Sequence, residues 1–128
     1  MTKITENYLV KTFPDLYKGI HMPPTENLMW FGFECGDGWY DILYKLSKAL
    51  TDLDEGVVAA QVKEKYGTLR FYILFGSDKA FDLIEAAEEE SKKICEVCGA
   101  VGSLKERGYW LKTLCDIHNE LWQEGAMK

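Results

Sequence analysis

Near the C-terminus the chain reads ICEVCGAVGSLKERGYWLKTLCDIHNELW, where Cys95, Cys98, Cys115 and His118 form C-x2-C-x16-C-x2-H. Two pairs of soft or borderline donors, each pair two residues apart, can close on one ion without strain. No other feature constrains the fold as tightly, because four ligands on one ion gather residues 95–118 around a single point. Gly99 follows Cys98 directly and supplies the turn freedom that a thiolate knuckle needs. Leu114, Ile117, Leu121 and Trp122 recur at helical spacing, so the second pair opens a helix with Cys115 and His118 on one side of its first turn. Between the pairs, SLKERGYWLKTL reads as a hairpin turning near Arg107-Gly108.

Knuckle, hairpin and ligand-bearing helix in that order resemble a treble-clef zinc finger. The donor set selects zinc, one ion per chain. Four thiolate or imidazole ligands fill a tetrahedron, whereas a catalytic zinc keeps one position for water. H-E-x-x-H is absent, the P-C-x-x-C of a zinc deaminase is missing because Ile94 precedes Cys95, and no histidine lies between Cys98 and Cys115 as an HNH-type nuclease would require. The expected role of the metal is structural.

The chain has 128 residues, enough for one domain or a domain with a small appended module. We divide it into an α+β domain over residues 1–94, built around a central hairpin, and a zinc-binding module over 95–128 packed on it. The expected fold class is α+β: a small antiparallel sheet with packed helices and the treble-clef-like module. No apolar run is long enough to span a bilayer, and MTKITENYLVK lacks the profile of a secretion signal. The expectation is a soluble cytoplasmic protein without a membrane partner, whose four cysteines serve as thiols and metal ligands. The net charge of −6 opposes a broad, sequence-independent grip on nucleic acid.

Along the chain, TENYLVKTF predicts a short helix ended by Pro14, and residues 18–27 a loop. The aromatic run LMWFGF (28–33) predicts a buried strand. Trp39, Ile42, Leu43, Leu46, Ala49 and Leu50 mark one helical face, with Asp37 placed to cap that helix. The G-D-G-W turn therefore reads as a tight turn and cap, with a ligand loop as the alternative. VVAAQVKEKYGTLRFYILF predicts a hairpin around Tyr66-Gly67. Alternation puts Val58, Ala60, Val62, Leu69, Phe71, Ile73 and Phe75 on its inner face, and Gln61, Lys63, Lys65, Arg70 and Tyr72 on its outer one. A following helix, capped by Ser77 or Asp78, buries Ala80, Phe81, Ile84, Ala87 and Ile94 and turns its acids outward.

WFGFECGDGWYDIL, QVKEKYGTLRFY, and ICEVCG with TLCDIH together resemble an uncharacterised family of small proteins encoded by phages and prophages. The match runs from about Trp30 to His118. The resemblance implies a phage context, hence host interaction or counter-defence, and carries no activity with it.

Three functions compete. Lys63, Lys65 and Arg70, beside Tyr72 and with Trp39 as a possible second ring, suit an anionic, nucleotide-like ligand or an acidic patch of a host protein. Internal neutralisation by Glu34, Asp37 or Glu64, or plain solvation, is the bland alternative. The runner-up is a zinc-finger nucleic-acid-binding regulator using Lys105, Arg107 and Lys112, which Glu96, Glu106, Asp116, Glu120 and Glu124 offset. Catalysis would rest on Cys35 ahead of a helix, with His21 as the spare base, and no catalytic motif joins them. The expected protein is a non-enzymatic binder.

Overall fold

The computed structural model describes residues 1–127. The chain forms α1 (Lys3–Thr12), β1 (Phe33–Glu34), α2 (Tyr40–Asp52), β2 (Ala59–Lys65), β3 (Thr68–Ile73) and α3 (Asp78–Ser91). It closes with β4 (Ser103–Arg107), β5 (Trp110–Leu114) and α4 (Asp116–Gln123). One sheet runs β1-β2-β3 and a second contains β4 and β5. This is the α+β arrangement expected, with a small antiparallel sheet, packed helices and a C-terminal Cys/His cluster.

Local chemistry accounts for the helices. Thr2 caps α1 through its hydroxyl, and Ser77 caps α3 by accepting the Ala80 N–H at 3.3 Å. Helix α2 buries Ile42, Leu43, Leu46 and Leu50, and α3 offers Ala80, Ile84 and Ala87 to the same core. Small residues on α3 let the two helices lie close together. Tyr17 stands in the centre of this core, its hydroxyl 2.6 Å from Ser47 Oγ and its ring edge-on to Phe33 and Phe71.

The hairpin β2–β3 turns through Tyr66 and Gly67, whose φ values of 53° and 82° are those of a type I′ turn. Its facing agrees with the sequence pattern at Val62, Leu69 and Phe71, which point into the core. Ala60 does not. A bulge between Ala59 and Gln61 shifts the register, so Ala59 is buried in its place. Phe75 lies beyond the end of β3 and Phe81 on the outer side of α3, and both are exposed. The outer edge of β3 is covered by α3: Leu69 N–H donates to Ser91 Oγ and Phe71 N–H to Glu88, each at 3.0 Å. Glu88 therefore leaves the outward-facing acidic block and finishes the sheet edge.

The expected strand over 28–33 is a correction. Leu28–Phe31 form a 3-10 turn, and only Phe33–Glu34 join the sheet, parallel to β2. Asn27 causes this. Its side-chain oxygen accepts the Met29 N–H at 2.7 Å while its amide donates to the Ala59 carbonyl at 3.1 Å. Gly32, at φ 74°, then bends the chain over the buried Glu6 carboxylate, which accepts the Phe33 N–H at 2.9 Å. Met29 is buried, and Trp30 and Phe31 are exposed.

The C-terminal residues add a second apolar cluster of Cys95, Leu114 and Trp122. Hairpin β4–β5 turns at Gly108 and sits against the tip of β2–β3, where Thr113 Oγ1 donates to the Gly67 carbonyl at 2.6 Å. A side chain at Gly67 would strike Leu104 at 2.7 Å and the β5 backbone at 3.2 Å, so two of its properties demand glycine.

Candidate metal centre and the surfaces around it

The four residues singled out by spacing meet. Cys95, Cys98, Cys115 and His118 each offer one donor atom, and these atoms all lie within 4.8 Å of one another. The separations are 3.8 Å for Cys98 to Cys115, 3.7 Å for Cys95 to His118 Nδ1 and 3.2 Å for Cys115 to His118 Nδ1. Metal–sulfur bonds of about 2.3 Å meeting at the tetrahedral angle put two sulfurs about 3.8 Å apart. The cluster therefore fits one tetrahedral ion.

Backbone geometry holds each ligand in place. In the knuckle, Cys95 N–H donates to the Ala100 carbonyl at 2.7 Å, and Gly99, at φ 80°, returns its N–H to the Cys95 carbonyl at 2.9 Å. Cys115 occupies the N-cap position of α4, its sulfur accepting the His118 N–H at 3.4 Å. That bond is the main reason the Cys115 thiol is held down to about 7, toward the thiolate a metal requires.

The G-D-G-W turn packs on the knuckle. Gly38 N–H donates to the Glu96 carbonyl at 2.8 Å and Gly36 N–H to the Glu96 carboxylate at 2.9 Å. The Trp39 indole N–H donates to the Ile94 carbonyl at 2.9 Å. A Cβ on Gly38 would lie 2.1 Å from the Cys95 carbonyl oxygen, and one on Gly36 2.3 Å from that of Glu96. Both glycines are needed because backbone meets backbone here. Burial raises the Glu96 carboxyl pKa, and the Gly36 N–H works against that shift.

Two expectations for this turn are corrected. Asp37 does not cap α2: the N-cap residue is Trp39, without a side-chain bond, and the Asp37 carboxylate accepts the Thr2 N–H at 2.9 Å. The intervening 3-10 turn, Asp37–Trp39, carries the carboxylate away from the first amides of α2. Trp39 is fully buried and cannot offer a ring to the sheet face. Its indole is committed to the joint with the knuckle.

Cys35 is buried, and burial, assisted by the nearby Glu96 carboxylate, pushes its thiol up to about 12. Such a thiol is a small core side chain and no nucleophile at neutral pH. His21 is exposed at the end of a separate 3-10 turn, Lys18–His21.

The outer face of β2–β3 carries the remaining predicted residues. Lys63 and Arg70 are direct cross-strand partners, Glu34 is the parallel partner of Lys63, and Tyr72 stands opposite Gln61. None of the ion pairs among the described residues involves Lys63, Lys65 or Arg70. Glu64 is turned to the Gly67 N–H at 2.6 Å, and Asp37 is held by Thr2. Arg70 Nε is shielded from solvent without a hydrogen-bond partner. Tyr72, partly exposed, borders a cleft of about 320 Å³ with Ala60, Gln61 and the loop Pro24–Leu28. Lys65 is exposed at the end of β2, its amine 5.5 Å from the Tyr66 ring.

Sequence reasoning missed Glu96 as the hub of the joint. Its one signal was position: it lies inside the C-x2-C knuckle, and the two glycines of G-D-G-W are spaced to admit one strand of backbone. Comparison with protein-family models, with curated proteins and with solved structures gives no match for this chain.

Proposed function

We propose that this chain is a non-enzymatic, zinc-stabilised binding protein that takes an anionic, nucleotide-like ligand on the outer face of β2–β3. The observation that carries the reading is the direct cross-strand pairing of Lys63 with Arg70, neither of which forms an ion pair among the described residues although Glu34 stands beside Lys63, and whose Arg70 Nε has no acceptor. Like charges directly opposite on a sheet are destabilising, and a shielded donor left unfilled costs free energy. A phosphate bridging the two cations relieves the first. Guanidinium binds it through a two-pronged fork, ammonium adds a point charge, and the neighbouring Tyr72 offers a ring to a base.

Three thiolates and an imidazole favour zinc, and with all four positions filled the ion supplies folding energy in place of chemistry. The residues that hold it are Cys95, Cys98, Cys115 and His118. The resemblance to phage- and prophage-encoded proteins sets this binding in a host cell, as host interaction or counter-defence. In that setting the ligand is a host nucleotide sequestered by the protein, or the same charge pair engages an acidic patch on a host protein.

Calorimetry of the zinc-loaded chain against a panel of nucleoside mono-, di- and triphosphates and cyclic nucleotides tests the reading. Lys63→Glu and Arg70→Glu are each expected to weaken binding about tenfold to a hundredfold, the scale of one charge-assisted hydrogen bond. A host-lysate pull-down with the same variants covers the protein partner. Charge reversals that preserve every interaction of the wild type would reduce this face to a solvated sheet surface.

A further inference from the structure

A second cationic surface lies on the zinc-binding module, between hairpin β4–β5 and α4. Strand pairing sorts its charges. Lys105 stands opposite Lys112 and Arg107 opposite Trp110, so these four share one face, while Glu106 pairs with Leu111 on the other. The face turned to α4 bounds a cleft of about 350 Å³ lined by Arg107, Trp110, Lys112 and Trp122. Trp122 is its buried floor, with the Arg107 guanidinium 4.9 Å and the Lys112 amine 6.0 Å from its ring. Arg107 is further fixed by donating to the Trp122 carbonyl. Trp110 is 72% exposed at the mouth.

The surrounding acids leave this face cationic. Glu96 is bound to Gly36, Asp116 pairs with Lys105 at 3.3 Å, and none of the ion pairs among the described residues involves Arg107 or Lys112. At physiological salt, charges separated by more than about 8 Å are largely screened, so a local patch can act within an acidic chain.

We propose that this cleft binds single-stranded nucleic acid, one base stacking on Trp110 while Arg107 and Lys112 hold the adjoining phosphates. An exposed indole flanked by two or three cations is the combination by which single strands are held without sequence preference. A duplex is disfavoured because its bases are already stacked. The site is independent of the β2–β3 face, and neither proposal needs the other.

The test is fluorescence anisotropy of a labelled twelve-residue oligothymidylate with the zinc-loaded full chain, across a salt series. Two phosphate contacts predict a slope of log K against log salt of about −1.4, falling in magnitude by about 0.7 in Lys112→Gln. Trp110→Ala should weaken binding about tenfold at an unchanged slope, and Trp110→Phe should restore most of it. Zinc content and the thermal transition of each variant verify the fold, which an exposed side chain does not support. Lys79→Gln, at an exposed position of α3, should leave this affinity unchanged. Absence of binding at low salt, or full affinity in Trp110→Ala, would overturn the proposal. A duplex bound as tightly as the single strand, or equal competition by polyglutamate, would do the same by showing plain charge attraction.

Discussion

Replacing Gly38 by alanine tests the joint between the G-D-G-W turn and the Cys95–Cys98 knuckle. Gly38 is not among the residues with positive φ, so alanine is compatible with its backbone. At such a position the change ordinarily stabilises by about 0.4–1 kcal/mol, through lower entropy of the unfolded chain. Here the new methyl would lie 2.1 Å from the Cys95 carbonyl oxygen and 2.6 Å from the Glu96 carbonyl carbon and oxygen. Those are backbone atoms of the knuckle and cannot swing aside. The chain must either separate the two segments or absorb the strain. Separation gives up the bonds from Gly38 N–H, Gly36 N–H and the Trp39 indole. At about 1 kcal/mol for each neutral bond and 1.5–3 kcal/mol for the one to a carboxylate, that totals about 4 kcal/mol. Overpacking with partial relaxation costs about 1–3 kcal/mol. A loss of about 3 kcal/mol is therefore expected, opposite in sign to the ordinary effect. Urea denaturation followed by tryptophan fluorescence, in saturating zinc, measures it. Gly56→Ala is the control: φ is 71° and nothing lies within 4 Å, so backbone strain alone should cost about 1 kcal/mol. A Gly38→Ala protein as stable as the wild type would show that the knuckle and the turn are not rigidly joined.

Other consequences are equally direct. Cys115→Ser should abolish stoichiometric zinc and unfold the C-terminal module, since structural zinc contributes on the order of 10 kcal/mol; retention of zinc in metal analysis would refute the ligand set. Cys35, pushed up to about 12, and Tyr17, also raised by burial, are neutral in the fold. In the unfolded chain they ionise near pH 8.5 and pH 10, so their stabilising contribution is complete below about pH 8.5 and is lost as pH rises toward 12. Between pH 9 and 10 the Cys35 thiol should account for about 1.2 kcal/mol of lost stability, absent in Cys35→Ala, as urea midpoints at the two pH values will show. Native Cys35 should also resist iodoacetamide at pH 8, and rapid alkylation read by mass spectrometry would contradict its burial. Asp37→Ala should cost about 1 kcal/mol by releasing the Thr2 N–H, with Asp37→Asn milder. Hydrogen exchange should then report loosening at the start of α1 and unchanged protection at the start of α2.

Features set by short-range chemistry were legible in the sequence. The Cys/His cluster that could hold a metal is readable because donors paired two residues apart can close on one ion, and each pair is positioned by its own turn or helix start. The helices α2 and α3 and the facing of Lys63, Arg70 and Tyr72 follow from periodicity, which depends only on how side chains leave the backbone. What the tertiary structure alone decided lies where distant segments meet. LMWFGF is apolar enough for a strand, yet Asn27 found its partners at Met29 and the Ala59 carbonyl and turned the run into a 3-10 bend. Asp37 has the spacing of a cap, yet the Thr2 N–H, 35 residues earlier, claims it. Trp39 could have faced a ligand, but the Ile94 carbonyl, 55 residues later, fixed it inside. Hydrogen-bond donors and acceptors leave water only for partners close enough to replace it, and which partners are close depends on how the whole chain packs.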